Sequence, residues 1–450
     1  MNIKKYKISM AVLFLSLLIA CVESSKSSFE AGIGPNPKLP PPATTLIPNV
    51  KVAKAIGWSD TAMPLAPSGF QVTALARNLD HPRWLYTLPN GDILVVESNR
   101  PSKSTDSNNI NKDKDFIASI REKAASFLME RAGANAPSAN RITLLRDIGP
   151  DGIAKQRTVF MKDLMSPFGL ALVDNELFIA NANAIIKVPY IDGQTEIDSV
   201  PIKVTDLPAG INHHWTKNLI ASLDGKKLYV TVGSNSNIGE NGLEIEEGRA
   251  AIWEVDIQTG EKRIYASGLR NANGLDWEPE TNTLWTVVNE RDEIGNDLVP
   301  DYLTSVKDGA FYGWPWSYFG AHVDTRVKPP RPDMVDKAIA PDYALGSHVA
   351  PLGLVFSNKH SMPPAFANGA FIGEHGSWNR NPPSGYKVVF VPFSDGKPSG
   401  MPIDFLTGFL NADGKAQGRP VGVALDKTGA LLVADDVGNI VWRVSFVTTH

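Results

Sequence analysis

Apolar positions along this chain fall in short runs, and the runs recur in one arrangement. Ile93 to Val96, Leu177 to Ala180, Leu228 to Val232, Leu284 to Val288, Ala370 to Ile372 and Leu431 to Ala434 are each a few residues long and rich in β-branched or aromatic side chains. Ahead of each lies a turn, and ahead of the turn a second apolar segment. The six pairs are His81 to Tyr86 before Asn90-Gly91, Ser166 to Leu172 before Asp174-Asn175, and His214 to Ala221 before Asp224-Gly225. They continue with Asn271 to Trp277 before Glu278 to Asn282, Ala350 to Phe356 before a longer turn, and Arg419 to Leu425 before Thr428-Gly429. Runs this short, bounded by turn residues, predict antiparallel strand pairs rather than helices. Asn-Gly, Asp-Gly and Thr-Gly suit tight hairpins that need positive φ.

Six copies of one hairpin predict an all-β fold, a six-bladed β-propeller of four-stranded antiparallel blades, and argue against a two-sheet sandwich. In such a ring the loops ahead of the inner hairpins converge on one mouth of the central channel. Two insertions interrupt the pattern. Residues 101–140 include a stretch between Asp115 and Arg131 with Phe116, Ile117, Ile120, Ala124, Phe127 and Leu128 at helical spacing, expected as a surface decoration. The Pro- and Asp-rich segment from Pro315 to Leu345 is expected to form a loop near the mouth.

The N-terminus follows a different logic. Lys4, Lys5 and Lys7 precede an apolar run, Ile8 to Ala20, that is too short to span a bilayer comfortably. It ends Leu18-Ile19-Ala20-Cys21, which resembles the lipobox of bacterial lipoproteins. Residues 1–20 are therefore expected to be a lipoprotein signal peptide and Cys21 a lipidated first residue, placing the protein on the periplasmic face of the cell envelope. Val22 does not resemble an inner-membrane retention signal, which favours the outer membrane. Residues 21–50 are rich in Ser and Pro and are expected to be a flexible tether, with the propeller occupying 51–450.

Charge and cysteine content narrow the chemistry. With 44 basic against 48 acidic side chains there is no basic footprint for nucleic acid. Cys21 is the sole cysteine, so disulfides within the chain are excluded and no zinc-ligand spacing exists. No Gly-rich loop opens a helix as a nucleotide site requires. Most of the suggestive residues lie between Ile211 and Pro315. His214 titrates in the range of a general base, or is a satisfied structural histidine. Arg270 and Arg419 suit carboxylate recognition, or form internal salt bridges. Asn289, Glu290, Asp292 and Asp297 are close enough in sequence to ring a hard cation, or form a solvated acidic turn. In Gly376-Ser377-Trp378-Asn379-Arg380 an aromatic and a cation share one loop, as for a sugar or cofactor wall, or as a blade-edge cap.

Gly268-Leu269-Arg270-Asn271-Ala272-Asn273-Gly274-Leu275, Tyr312-Gly313-Trp314-Pro315 and the His214 loop before Leu219 and Asp224-Gly225 resemble the glucose/sorbosone dehydrogenase family of quinoproteins. The resemblance covers residues 67–447, and that family consists of six-bladed propellers using pyrroloquinoline quinone (PQQ) and Ca²⁺. It implies His214 as catalytic base, Arg270, Asn271 and Arg419 as cofactor contacts, and the loop of Asn289, Glu290, Asp292 and Asp297 as the calcium region. The family's cofactor lysine has no direct match, and Arg380 or Lys387 is expected in its place. His213 stands where better-known members carry an acidic residue. The expected activity is PQQ-dependent oxidation of an aldose or related sugar or alcohol, with electrons passing to a quinone or cytochrome. A metal-dependent lactonase and a non-catalytic envelope-binding propeller remain the alternatives, since one fold hosts all three.

Overall fold

The computed structural model describes residues 24–43, 50–101, 130–134, 136–210, 212–357 and 361–447. The six predicted hairpins become the inner halves of six sheets. Blade 1 is built from Pro82–Thr87, Ile93–Glu97, Arg141–Ile148 and Ala154–Met161, and blade 2 from Leu170–Val173, Glu176–Ala180, Ala184–Pro189 and Ile202–Asp206. Blade 3 uses Leu219–Ala221, Lys227–Val232, Ala251–Asp256 and Lys262–Ser267. Blade 4 uses Ala272–Glu278, Thr283–Val288, Pro300–Ser305 and Tyr343–Ser347. Blade 5 comprises Pro351–Phe356, Gly369–Glu374, Lys387–Ser394 and Ile403–Leu406. Blade 6 joins Pro420–Leu425, Leu431–Asp435 and Ile440–Phe446 to Phe70–Ala76 from the start of the domain. The Phe70–Ala76 pairing ties the two ends of the domain into one sheet and closes the ring.

The unbroken apolar runs have a physical cause. Alternate side chains of a strand point to opposite faces, and in a propeller both faces of a blade are covered. Leu94 and Val96 enter the cluster between blades 1 and 2 with Trp84, Phe160 and Phe168, whereas Ile93 and Val95 enter the one between blades 6 and 1. In blade 6, Leu431 and Val433 face blade 5 while Leu432 and Ala434 face blade 1. Near the axis the inner strands leave no room for side chains. A Cβ on Gly274 would lie 2.7 Å from the Leu354 amide, and one on Gly422 would lie 2.7 Å from the Arg83 carbonyl oxygen. Those glycines occupy matching places in the repeated hairpin, so the repeat encodes close approach as well as turns.

Antiparallel order also fixes where chemistry can gather. In each blade, the loop feeding the inner strand and the loop joining the second strand to the third emerge at the same end. His81, His214, Arg270, His348 and Arg419 lie at the first kind of position; Ser234, Asp292, His375 and Asp436 lie at the second. The segment after Pro315 also reaches this mouth, as expected: Arg326 Nη1 donates to the Asp292 carbonyl (3.1 Å), and Asp324 pairs with Arg291 (3.0 Å).

One expectation is corrected. Residues 24–43 are not a free tether. Ile33–Gly34 pair with Leu345 and Ala344 as a fifth strand on blade 4, Phe29 packs beneath Arg380 (5.2 Å), and the Ala43 amide donates to the Ile294 carbonyl (2.9 Å). Ser- and Pro-rich composition supplies no core of its own, but a segment can dock on one that already exists. The expected helix between Asp115 and Arg131 lies outside the described residues except for Glu130 and Arg131, which are helical. Cys21 and the expected signal peptide lie outside them too. Among the described residues, no helix is long and apolar enough to cross a membrane.

Candidate active site at the channel mouth

His214 sits on the loop feeding blade 3 and is half-buried, with His213 exposed beside it, the two rings edge to face at 4.8 Å. Its Nδ1 lies 2.8 Å from the Ser234 carbonyl oxygen and 3.0 Å from Ser234 Oγ. Ser234 Oγ donates its own proton to the Ser236 carbonyl (2.7 Å). Both atoms facing Nδ1 are therefore acceptors, so Nδ1 carries the hydrogen and Nε2 keeps its lone pair. Burial, then Arg270, then His213 hold the imidazole well below the usual histidine range, so the ring is neutral at pH 7. Gly233 makes room for this arrangement, since a Cβ there would lie 2.6 Å from His214 Cβ and 2.5 Å from Asn271 Oδ1. Asn271 thus lies on the same glycine as His214, with its buried Oδ1 unpartnered.

Arg270 is buried and saturated. Its Nη1 donates to the Glu290 carbonyl (2.6 Å), and its Nη2 donates to Asn237 Oδ1 (3.0 Å) and pairs with Asp292 (3.0 Å). Asp292 also accepts from Asn379 Nδ2 (2.7 Å) and faces His348 Nδ1 at 3.4 Å. Burial pushes Asp292 upward, but Arg270 and His348 outweigh it and hold the carboxyl at about 2. The same carboxylate outweighs burial at His348 and raises that histidine above its ordinary value.

A second cluster closes the opposite side, where blades 5, 6 and 1 meet. Asp436 Oδ2 accepts from Arg83 Nη1 and His375 Nε2 (2.9 Å) and lies 3.5 Å from His81 Nε2. The Arg83 guanidinium lies over the rings of Phe168 and Trp215 at 5.9 and 5.7 Å. Arg419 lies 4.9 Å over the Tyr386 ring and donates to its hydroxyl (3.1 Å). The Nε atoms of Arg83 and Arg419 are both buried and without a partner.

The expected residues separate into two groups. His214, Arg270, Asn271 and Arg419 all reach the mouth. Arg380 and Lys387 are engaged elsewhere: Arg380, on the rim loop of blade 5, pairs with Asp297 (3.1 Å) and donates to Ser25 Oγ (3.0 Å), and Lys387 pairs with Asp404 on the outer side of blade 5. The four expected metal ligands do not converge either. Asn289 Nδ2 donates to the Pro351 carbonyl (2.8 Å), Glu290 pairs with Arg291 (3.2 Å), Asp292 belongs to Arg270 and His348, and Asp297 accepts from the Lys26 and Ser27 amides (3.0 and 3.1 Å). Among the described residues no three His, Cys, Asp or Glu side chains are gathered as metal ligands. Asp292 and Asp297 meet their cations, Arg270 and Arg380, from other parts of the chain, which sequence proximity could not reveal.

Sequence reasoning also left residues unassigned. Ser234, which fixes the His214 tautomer, carries no motif. His81, Arg83 and His375 stood in plain view in the repeated hairpins and in the Trp378 loop; the signal was their place at the mouth end of a blade. Lys217 is fully buried, its Nζ 3.5 and 3.4 Å from the carbonyls of His214 and Trp215, and burial followed by Arg249 lowers it to about 7.

A family model described as "Domain of unknown function (DUF7133)" matches residues 81–377, more than half of the chain. The chain belongs to that family. A second model, described as TrAA12-like, matches residues 333–445. An uncharacterized protein of Borreliella burgdorferi is 29% identical over 65% of this chain and 80% of its own length. A pyrroloquinoline quinone-dependent pyranose dehydrogenase of Coprinopsis cinerea is 26% identical over 41% of this chain; the match spans 31% of that protein. Among solved structures, the Trichoderma reesei family AA12 protein in its calcium form superposes with a TM-score of 0.67 at 18% identity, covering 88% of this chain and 99% of that one. The holo PQQ domain of the Coprinopsis cinerea pyranose dehydrogenase gives 0.65 at 19%, covering 88% and 100%. At these identities the structural likeness shows the fold, a six-bladed propeller. The resemblance read from Gly268–Leu275 and Tyr312–Pro315 points likewise to PQQ-dependent sugar dehydrogenases, as the Coprinopsis cinerea pyranose dehydrogenase is.

Proposed function

We propose that the protein is a PQQ-dependent dehydrogenase that oxidises an aldose or related sugar or alcohol, with His214 as general base. The observation that carries this reading is the fixed tautomer of His214: a neutral ring, its Nδ1–H tied to Ser234, its Nε2 lone pair left available. A base of this kind takes the hydroxyl proton as the carbinol hydrogen leaves as hydride. PQQ, when bound, supplies the quinone that accepts the hydride.

The residues present fit such a group. PQQ carries three carboxylates, and Arg83 and Arg419 each hold a buried donor with no partner on the walls of the mouth. Their guanidinium planes are backed by aromatic rings, which fixes them in one orientation and disfavours water. Asn271, beside His214, is placed to hold a polar group next to the base. Arg270 positions the wall: through Glu290 and Asp292 it ties the loops of blades 3, 4 and 5 together. Calcium is expected from the resemblance alone, and the acidic loop as it stands presents no converged ligand set, so no step is assigned to it. The relatives that are sugar dehydrogenases support a sugar as substrate. The envelope location and the lipid anchor on Cys21 belong to this proposal as well, with a quinone or cytochrome as electron acceptor.

The test is a titration of the full chain with PQQ, with and without added Ca²⁺, followed by Trp fluorescence and by dye reduction with a panel of sugars. Trp215 under Arg83 should be quenched saturably, and dye reduction should require both PQQ and a sugar. Absence of saturable quenching would overturn the proposal.

A further inference from the structure

The N-terminal segment docks at one particular place. Asn381 Nδ2 donates to Ser24 Oγ (2.9 Å), the Ser25 amide donates to the Asn381 carbonyl (2.7 Å), and Ser25 Oγ bonds to Asp297. The Lys26 and Ser27 amides donate to the same carboxylate, which Arg380 pairs from the other side. Phe29 then packs against Gly346 and lies under Arg380, and Ile33–Gly34 extend blade 4. Asp297 lies in the loop joining the second and third strands of blade 4, and Asn381 in the equivalent loop of blade 5. Both loops open on the mouth, and Asn379, next to Arg380, bonds directly to Asp292 of the Arg270 network. The segment is therefore fastened to the mouth rim in the sector between blades 4 and 5.

Chain length turns this into a statement about orientation. If residues 21–50 were a flexible coil, the domain would sit at the end of a tether with an end-to-end distance of about 30 Å, free to turn any face to its surroundings. With Ser24 bound at the rim, only three residue steps lead back to Cys21, a reach of about 11 Å at full extension. A domain of this size has a radius of gyration of about 21 Å, so an 11 Å leash cannot pass around it. Trp378, exposed on the rim loop of blade 5, stands in the same sector, and the Lys51 amide donates to its carbonyl (2.8 Å). Tryptophan at that position suits the headgroup zone of a bilayer.

We propose that residues 24–34 are an orienting strap: with Cys21 acylated, they hold the blade 4/blade 5 sector of the mouth against the lipid surface, the opposite face of the propeller pointing away. This rests on the lipid-anchor part of the proposed function. It makes the membrane the partner of a defined rim, fastened by Asp297, Arg380 and Asn381.

Because acylation consumes the sole native thiol, a new cysteine can be labelled alone. Trp378→Cys reports the rim, and Glu280→Cys reports the turn after the inner strand of blade 4, at the opposite end of that blade. The full chain, expressed with its own leader, is purified in detergent, labelled with bimane and reconstituted into phosphatidylcholine/phosphatidylglycerol vesicles carrying spin-labelled headgroups. Quenching at 378 should exceed that at 280 severalfold. Asp297→Ala/Arg380→Ala should remove most of the difference while the protein still sediments with the vesicles. Inserting eight Gly/Ser residues between Val22 and Ser24, which leaves the docked residues intact, should do the same. Vesicle-bound protein with equal quenching at both sites, or stronger quenching at 280, would overturn the orientation and leave the anchor standing. Protein that carries no fatty acid and stays in the supernatant would overturn the anchor, and the orientation with it.

Discussion

Replacing Arg270 by alanine tests whether the guanidinium is the structural keystone of the mouth. Arg270 is 3% exposed and neutralises Asp292, which is itself largely buried, while its other donors satisfy the Glu290 carbonyl and Asn237. Removing one partner of a buried pair leaves an uncompensated charge, at a cost of about 3–5 kcal/mol. Asp292 keeps Asn379 and His348 as neighbours, so the loss depends on the charge of His348. That histidine has a folded-state value above its ordinary one; its stabilising contribution is complete below pH 6.5 and is lost as pH rises through the raised value. In the variant the His348–Asp292 pair matters more. The destabilisation should therefore sit near the lower figure, about 3 kcal/mol, at pH 6 and approach about 5 kcal/mol at pH 9. Denaturant unfolding at both pH values, followed by Trp fluorescence, measures it. A loss below about 1 kcal/mol at pH 9, or one that shrinks as pH rises, would show that Asp292 does not depend on Arg270.

Three further outcomes follow from the same geometry. His214→Gln should lower single-turnover reduction of bound PQQ by sugar about 10²- to 10⁴-fold with PQQ affinity retained, while His213→Gln has the milder effect; stopped-flow absorbance on the two holoproteins decides between them, and the reverse order would move the base by one residue. Arg83→Gln and Arg419→Gln should each weaken PQQ binding by about 1.5–3 kcal/mol, read by fluorescence titration, because each removes a charged Nε donor that has no protein partner, Arg83→Gln also removing the pair with Asp436. Glu374 is fully buried with one unpartnered carboxyl oxygen, and burial raises it to about 8. The folded state then holds this proton between the ordinary carboxyl range and about 8 while the unfolded chain releases it, so stability falls as pH rises across that window. Glu374→Gln should match the wild type near pH 4 and exceed it by up to about 5 kcal/mol at pH 9, as pH-dependent denaturation would report.

The fold was legible because its physics is local and repeated. Each hairpin carries its own turn signal, and runs such as Ile93 to Val96 are apolar throughout because both faces of every blade are covered. Gly274 and Gly422 even mark where neighbouring inner strands touch. The site was legible only in part. His214, Arg270, Asn271 and Arg419 stand at positions the repeat already places at the mouth. Asp297 and Arg380 looked like a ligand and a cofactor contact because nothing local shows that Ser25 comes back across the chain to bind them. The acidic loop looked like a cation site for the same reason: Arg270 and His348 arrive on the feeding loops of blades 4 and 5. Charge pairing is a tertiary property, and a cluster in sequence says only that partners are required.

Those pairings show what kind of ligand the mouth lacks. Asp292, Asp297, Glu290 and Asp436 each face an arginine, and Arg270 also donates to the Glu290 carbonyl. A cation entering this loop must first displace a buried guanidinium. The donors are not used up in the same way. Arg83 and Arg419 each keep a buried Nε with no acceptor, on rigid planes backed by Phe168, Trp215 and Tyr386. Leaving a buried charged donor unsatisfied costs more than a neutral one, so these two Nε atoms call for an acceptor. A planar polycarboxylate supplies those acceptors without disturbing the Arg270 network.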